Sequence, residues 1–213
     1  MRFLITAGGT REPIDPVRFI SNASSGRMGF CLARAALASG HRVTLIAAPT
    51  GLRPPAGAKL VPVLTADQMF RAVREHLPWC DCLIMAAAVS DYTVDKPSKR
   101  KLKKTGRPLT LRLIPTPDIL LWAAKHKEAR SRKPEARRKL IVGFALEDRQ
   151  VLQNAESKLR TKGLDMIVAN TPAAIGAETT VLHTKTAAGP WVDLGEASKA
   201  SHARRILRLI ESL

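Results

Sequence analysis

Residues 22–26, Asn-Ala-Ser-Ser-Gly, lie between the first apolar segment of the chain and a stretch with the pattern of a helix. Small residues let a ligand approach the backbone closely, and a helix that begins here directs its free N–H groups toward that ligand. Phosphate groups bind at such helix N-termini. The residue types at this connection therefore predict phosphate binding between the first strand and the first helix.

A second chemical feature is the loop between Asp91 and Leu109, which shows no apolar periodicity. Its seven basic residues are Lys96, Lys99, Arg100, Lys101, Lys103, Lys104 and Arg107. Ammonium groups placed over a triphosphate would balance its charge. We predict a flexible basic flap at about 92–108 that closes over a polyphosphate, and a merely solvated loop is the alternative.

The elements that position these residues are uncharged apolar strands that alternate with helices. This alternation predicts an α/β fold, a Rossmann-like three-layer sandwich with a mostly parallel sheet and a small antiparallel appendage, as a single domain over residues 1–213. The predicted strands are 3–7, 42–48, 59–63, 82–89, 109–113, 139–146 and 164–170, with a hairpin near 180–183 and 190–194.

Helices are predicted between these strands. One follows the serine-rich connection and ends near Gly40, and one carries Met69, Phe70, Val73 and Leu77 on one face. Two more span 117–126, with Pro117 at the first helical position, and 150–162. A C-terminal helix has an apolar face formed by Ala203, Ile206, Leu207, Ile210 and Leu213.

Small or polar residues follow five of the predicted strands or their connections. They are Gly8–Thr10, Asn22–Gly26, Ala86–Asp91, Gly143–Ala145 and Ala169–Asn170. Ligands of open α/β sheets bind outside the carboxyl ends of the strands. We therefore expect these segments to form the rim of one pocket.

The net charge of +17 is concentrated in one part of the chain. Residues 96–139 hold 16 of the 35 lysines and arginines and only three acids, Asp118, Glu128 and Glu135. Such a block fits either a nucleic acid or a polyanionic small molecule. The stretch 130–139 has no interleaved aromatic residues, which favours a solvated face there.

Other classes of protein are disfavoured. No apolar run is long enough for a transmembrane helix. The three cysteines, Cys31, Cys80 and Cys82, fit reduced thiols in the cytoplasm, and no His or Cys pair complements Cys80 and Cys82 as metal ligands. A dinucleotide fingerprint and a Walker A loop are both absent. The Tyr92–Lys96 spacing of a short-chain dehydrogenase is followed at once by a proline, so it lacks the helix that such a pair requires.

Six segments carry a family resemblance: GGTREPIDPVRFISNASSGRMG, AAAVSDY, KLKK, TPDIL, GFALE and KLRTKGLDMIVAN. In this order they resemble phosphopantothenoylcysteine synthetase, of the DNA/pantothenate metabolism flavoprotein C-terminal domain family. The resemblance implies that 4′-phosphopantothenate is activated by a nucleoside triphosphate with Mg²⁺, and that L-cysteine then displaces the nucleotide. It implies CTP as the nucleotide, with ATP as the alternative.

The same resemblance implies a homodimer, and the thiols and the lack of a long apolar run predict a cytoplasmic protein with no membrane segment. The chain begins at the first strand of the synthetase, so we expect a stand-alone form without a flavin site. Nucleic acid is not an expected partner. A basic nucleic-acid-binding protein without catalysis remains the competing class, and it predicts steep salt dependence and binding that survives loss of Asn22.

Roles carry over from the family residue by residue. Asn22 would hold the acyl intermediate for attack by cysteine, Lys101 would serve the activation step, and Asp91 would contact Mg²⁺ or the ribose. The other expected nucleotide and phosphate contacts are Gly9, Ser24, Ser25, Gly26, Met85, Ala86, Ala87, Lys103, Lys104, Pro117, Asp118, Ile119, Leu120, Phe144, Lys158 and Lys162.

Taken without the resemblance, several of these residues have ordinary structural explanations. Asn22 fits an Asx turn or helix cap, and Phe144 fits the core. Lys158 and Lys162 share one side of a helix, which a solvated face would also explain. The family commonly has GFAAET where this chain has GFALED, so the bulkier Leu146 is expected to alter the pocket for the base.

Overall fold

The computed structural model describes residues 1–127 and 139–213, so residues 130–138 of the predicted solvated face lie outside the described residues. Within the described ranges the strands are β1 (Arg2–Ala7), β2 (Arg11–Pro13), β3 (Phe19–Ser21), β4 (Arg42–Ala47), β5 (Lys59–Pro62), β6 (Cys82–Met85), β7 (Tyr92–Val94), β8 (Leu113–Pro115), β9 (Leu140–Leu146), β10 (Met166–Asn170), β11 (Thr179–Thr186) and β12 (Trp191–Ser198). The helices are α1 (Arg27–Ala38), α2 (Ala66–His76), α3 (Ile119–His126), α4 (Val151–Thr161) and α5 (Lys199–Glu211), with a short 3₁₀ helix at Pro172–Ala174.

The main sheet has eight strands in the order β12-β11-β10-β9-β6-β1-β4-β5. Strands β10, β9, β6, β1, β4 and β5 are parallel, and β11 runs antiparallel to both of its neighbours. The chain leaves β1 toward β4 on one side and returns to β6 on the other. The Rossmann-like α/β prediction is confirmed, and the switch in direction marks the carboxyl edge beside β1 as the place for a ligand.

Helices cover both faces of the sheet. On one face α1 and α5 pack side by side, with Phe30 and Ile206 buried in the core. On the other face α2, α3 and α4 bury Met69, Leu120 and Leu159. Because the central strands are covered on both sides, they lack the apolar and polar alternation of a half-exposed strand.

Two small antiparallel sheets, β2–β3 and β7–β8, accompany the main sheet. The predicted strand 109–113 is wrong, because the strand that pairs with β7 is Leu113–Pro115. Leu109 is 59% exposed, so the alternating face of that segment has no core to cover it. The predicted hairpin is longer than expected and continues the main sheet as its β11 and β12 edge.

Three further boundaries differ from the sequence prediction. Pro117 precedes α3 instead of opening it, because Asp118 is the N-cap and its Oδ1 accepts the Leu121 N–H at 2.9 Å. The strand predicted at 82–89 ends at Met85, although Ala88 still bridges to Gly9. Helix α5 ends at Glu211, which leaves Leu213 half exposed beyond it.

Two observations bear on the class of protein. None of the helices in the described ranges is long and apolar enough to cross a membrane. Cys31, Cys80 and Cys82 are all free thiols. Burial raises the pKa of Cys80 to about 12 and the pKa of Cys82 well above its ordinary value, so both stay protonated and behave as core residues.

Candidate active site

A cavity of about 670 Å³ lies at the carboxyl edge of the main sheet. Its volume falls in the range of roughly 300–1,000 Å³ that is typical of small-molecule sites. Its lining joins the connection before α1, the ends of β6, β9 and β10, and the starts of α3 and α5. The expectation of one pocket at several strand ends is confirmed for these elements.

Most of the predicted site residues line this cavity. They are Asn22, Ser24, Ser25, Gly26, Met85, Ala86, Ala87, Asp91, Pro117, Asp118, Ile119, Leu120, Phe144, Lys158 and Lys162. Gly9, Lys101, Lys103 and Lys104 are not part of the lining. The structure therefore separates a preformed pocket from the basic flap of the same chain.

The start of α1 is the feature that the sequence predicts to bind phosphate. Gly26 has a φ of +74°, and a Cβ at this position would lie 2.8 Å from the Thr50 Cγ2 atom. The Gly26 and Arg27 amides donate to the Ser24 and Ser25 hydroxyls at 3.3 and 3.4 Å. No acidic residue lies in the first turn of α1, so the positive end of the helix is open to an anion.

Asn22 is fixed against the segment that follows β6. Its Nδ2 atom donates to the carbonyl oxygens of Val89 at 3.0 Å and Ala88 at 3.3 Å. Gly9 lies beneath it, and a Cβ at Gly9 would be 2.7 Å from the Asn22 carbonyl oxygen. Gly9 is not part of the cavity lining, but its lack of a side chain lets the Asn22 backbone pack closely against it.

Lys158 of α4, Lys162 just after α4 and the start of α3 form another wall. Lys158 Nζ donates to the Phe144 carbonyl at 2.8 Å, and Lys162 Nζ lies 3.0 Å from Asp118 Oδ2. Burial lowers the pKa of Lys158, and the neighbouring charge of Lys162 lowers it further. Burial would raise the pKa of Asp118, but the Leu121 amide and Lys162 outweigh it and hold that pKa below its ordinary value.

This wall combines cations with apolar surface. Phe144 and Leu146 are two residues apart on β9, so both point to the same side of the strand. Both line the cavity, and Leu146 is 48% exposed. The larger residue at the position of the family alanine therefore contributes to the cavity wall.

The basic flap is attached to the β2–β3 hairpin instead of the cavity. The Leu102 amide donates to Asp15 Oδ2 at 3.1 Å, and Arg18 Nη2 donates to the Leu102 carbonyl at 2.9 Å. The Ser98 amide donates to the Ile14 carbonyl at 2.9 Å. Lys101, Lys103 and Lys104 are exposed. A buried aspartate of the hairpin thus holds the middle of the flap.

Asp15→Asn is expected to loosen this attachment. The Arg18 guanidinium and three backbone amides outweigh burial and hold the pKa of Asp15 well below its ordinary value. Stabilisation by such a carboxylate is fully present above the unfolded pKa of about 4 and is lost as the pH falls toward the folded pKa. The variant should be cleaved several-fold faster by trypsin between Lys96 and Arg107 at pH 8.

The pH dependence of unfolding tests whether the ionised Asp15 carboxylate causes the stabilisation. In urea, the stability difference between wild type and Asp15→Asn should be constant from pH 8 to about pH 5 and shrink below about pH 4. Asp148→Asn, at an exposed position, serves as the control and should change neither cleavage nor unfolding. Equal trypsin cleavage of wild type and Asp15→Asn would show that Asp15 does not hold the flap.

The sequence predictions missed several residues of the cavity, among them Thr116 just before α3. Leu146 and Asn170 were expected near the pocket, and both belong to its lining. A separate group lies toward the start of α5: Arg27, Met28, Ala174, Ile175, Gly176, Thr180 and Lys199. The detectable signal for this group was a lysine at the first position of a helix, where the helix dipole disfavours a cation.

Comparisons with known proteins agree with this architecture. The family model of the DNA/pantothenate metabolism flavoprotein C-terminal domain matches residues 1–213. The chain is 40% identical over 215 residues to the coenzyme A biosynthesis bifunctional protein CoaBC of Bacillus subtilis, which covers 99% of this chain and 51% of that protein. It is 46% identical over 175 residues to CoaBC of Mycobacterium tuberculosis, with 79% and 41% covered.

A solved structure of one such protein has a similar fold. The crystal structure of the C-terminal domain of a coenzyme A biosynthesis bifunctional protein CoaBC is 35% identical, with a TM-score of 0.80 over 99% of this chain and 94% of that one. The chain spans about half the length, or less, of the curated relatives it matches. The resemblance inferred from the motifs is confirmed, and the chain belongs to the DNA/pantothenate metabolism flavoprotein C-terminal domain family.

Proposed function

We propose that this chain is a phosphopantothenate–cysteine ligase. The observation that carries the proposal is that one cavity joins the N-terminus of α1, Lys158 and Lys162 at the end of α4, and the Asn22 amide. Such a cavity offers positive charge to a polyphosphate and a hydrogen-bonding side chain to an acyl group. Relatives named for coenzyme A biosynthesis support this substrate class.

The proposed reaction has two steps. A carboxylate oxygen of 4′-phosphopantothenate attacks the α-phosphate, the bond between the α- and β-phosphates breaks, and pyrophosphate leaves with the electron pair. The cysteine amine then attacks the acyl carbon, loses a proton, and displaces the nucleoside monophosphate to form the amide. Neither step requires a nucleophilic side chain or a flavin. Charge neutralisation and positioning are the parts that the protein supplies.

We propose CTP as the nucleotide because the relatives above are bacterial, and ATP is the alternative. Mg²⁺ would enter with the triphosphate. It commonly keeps several waters and binds through phosphates and one or two carboxylates. The described residues contain no group of three or more potential metal-binding side chains, and Asp91 in the cavity lining is the carboxylate that fits this limited role.

We also propose a homodimer in the reducing cytoplasm, where the free thiols are stable. Support for the dimer comes from the two small sheets, because they and the flap expose large apolar side chains: Val17, Phe19, Tyr92, Leu109 and Leu113. Exposed apolar groups of this kind mark protein interfaces. Light scattering that gives the 23.2 kDa mass of one chain would contradict the dimer.

Pyrophosphate release tests the ligase activity. Purified protein with 4′-phosphopantothenate, L-cysteine and Mg²⁺ is expected to release pyrophosphate and to form the amide, faster with CTP than with ATP. Omission of 4′-phosphopantothenate is the control and should abolish release. No release with either nucleotide would contradict the ligase, and salt-dependent nucleic-acid binding would then be the function to measure.

A further inference from the structure

Two helices begin at the same end of the cavity. Helix α1 starts at Arg27 and α5 starts at Lys199, and both residues line the cavity. Helix α5 follows β12, which runs in the same direction as β10, so α1 and α5 leave the same edge of the sheet and pack side by side. The positive ends of two helix dipoles therefore point toward one part of the cavity.

The charges at this end lack acidic compensation. Helix N-termini favour Asp and Glu, yet neither α1 nor α5 has an acidic residue in its first turn. Each helix instead has a cation as its first residue. Two like charges added to two positive helix ends repel one another, and an anion placed between them would relieve the repulsion.

Lys199 is the more informative of the two cations because it is buried. It is 9% exposed, and its Nζ donates to the carbonyl oxygens of Ala174 at 3.0 Å and Ala177 at 2.6 Å. An ammonium group has three donors, so one remains. Among the described residues no carboxylate forms an ion pair with Lys199. Burial lowers its pKa, and the Arg27 charge adds to this effect.

A buried cation without a carboxylate is costly, and an anionic ligand in the cavity would supply the opposite charge. Arg27 is the first residue of α1, at the helix end that we propose to bind phosphate. The nucleoside triphosphate proposed for the cavity would therefore bring anionic groups close to Arg27. A nucleoside triphosphate has two phosphates beyond the reacting one. Those two phosphates leave together as pyrophosphate, which takes up the negative charge released when the α–β bond breaks.

We propose that Lys199 and Arg27 bind the β- and γ-phosphates of the nucleoside triphosphate and stabilise the departing pyrophosphate. The inference rests on the proposed ligase function. It divides the cavity into a nucleoside part at Phe144, Lys158 and Lys162 and a pyrophosphate part at the starts of α1 and α5. Lys199 promotes cleavage of the bond between the α- and β-phosphates because it neutralises the negative charge that accumulates on the leaving pyrophosphate.

Titration calorimetry of the full chain with pyrophosphate alone and with CMP alone tests this division. Lys199→Gln is expected to weaken pyrophosphate binding by about tenfold or more, the effect of losing a charge-assisted contact, and to leave CMP binding within about twofold. Lys199→Arg should recover part of the loss. The matched control is Arg204→Gln, an equal charge change at an exposed position of α5, which should alter neither affinity.

Lys199 also connects α5 to the Ala174–Ala177 segment, and a purely structural role gives a different result. In that case Lys199→Gln would weaken pyrophosphate and CMP equally, or neither, and the proposal would be overturned. If Lys199→Gln does not fold, Arg27→Gln at an exposed position gives the same test. Unchanged pyrophosphate affinity in that variant would also overturn the proposal. The wild-type ligase assay separately tests the function on which it rests.

Discussion

Asn22→Asp is expected to retain pyrophosphate release while amide formation falls by about a hundredfold or more. The Asn22 Nδ2 atom donates to the Ala88 and Val89 carbonyls, and Asn22 belongs to the cavity lining. Aspartate cannot donate to these carbonyls, and its charge would lie beside the developing negative charge of the acyl group. The attack by cysteine should therefore be impaired more than the activation of the carboxylate.

The two products are measured in one reaction. Pyrophosphate is followed by a coupled phosphate assay, and the amide is quantified by mass spectrometry after incubation with 4′-phosphopantothenate, L-cysteine, Mg²⁺ and CTP. The matched control is Asn154→Asp, because Asn154 Nδ2 also donates to a backbone carbonyl, at 3.0 Å, but lies outside the cavity lining. The control should form amide at the wild-type rate.

Two outcomes would contradict the role of Asn22. Amide formation by Asn22→Asp at the wild-type rate would remove Asn22 from the second step. An equal fall in pyrophosphate and amide would place its effect on activation, as expected of a residue that only shapes the loop before α1.

Gly29→Ala is expected to lower the free energy of unfolding by about 2 kcal/mol, the usual cost of overpacking a core contact. A Cβ at Gly29 would lie 2.6 Å from the Ala7 Cβ atom and 2.9 Å from the Thr6 carbonyl oxygen. These neighbours belong to β1 in the centre of the sheet, so α1 must move outward. A loss of this size lowers the melting temperature by about 4–8 °C in a chain of this length.

The displacement should also reach the cavity, because Gly29 lies in the first turn of α1. We expect weaker binding of pyrophosphate in addition to the lower melting temperature. Gly51→Ala is the control, since a Cβ there has no neighbouring atom within 4 Å and its backbone is not in the left-handed region. Calorimetric melting that is the same for both variants would show that α1 tolerates a Cβ against β1.

The fold class was accessible from the sequence because burial on both faces leaves a clear pattern. Segments such as 3–7 and 139–146 are continuously apolar, and the helices between them have one apolar face. The prediction failed at 109–113, where leucines alternate with other residues but no core covers Leu109 and Leu113. Periodicity identifies a strand only when one of its faces is buried.

Much of the candidate site was also predictable, although for two different reasons. The connection at residues 22–26 follows from local chemistry, because small residues before a helix leave the backbone open to phosphate. Phe144 and Lys158 followed only from the family motifs. In the structure the Lys158 ammonium donates to the Phe144 carbonyl, a contact across 14 residues that no local pattern indicates.

The sequence by itself determined the α/β class, the order of its main strands and helices, and the identity of most residues at the carboxyl edge. Only the tertiary structure decided that Asp15 holds the basic flap away from the cavity of its own chain and that Lys199 and Arg27 line the same cavity. The physical reason is distance along the chain. Apolar burial repeats with a short period and can be recognised locally, whereas a single carboxylate or ammonium finds its partner only after the sheet has brought distant segments together.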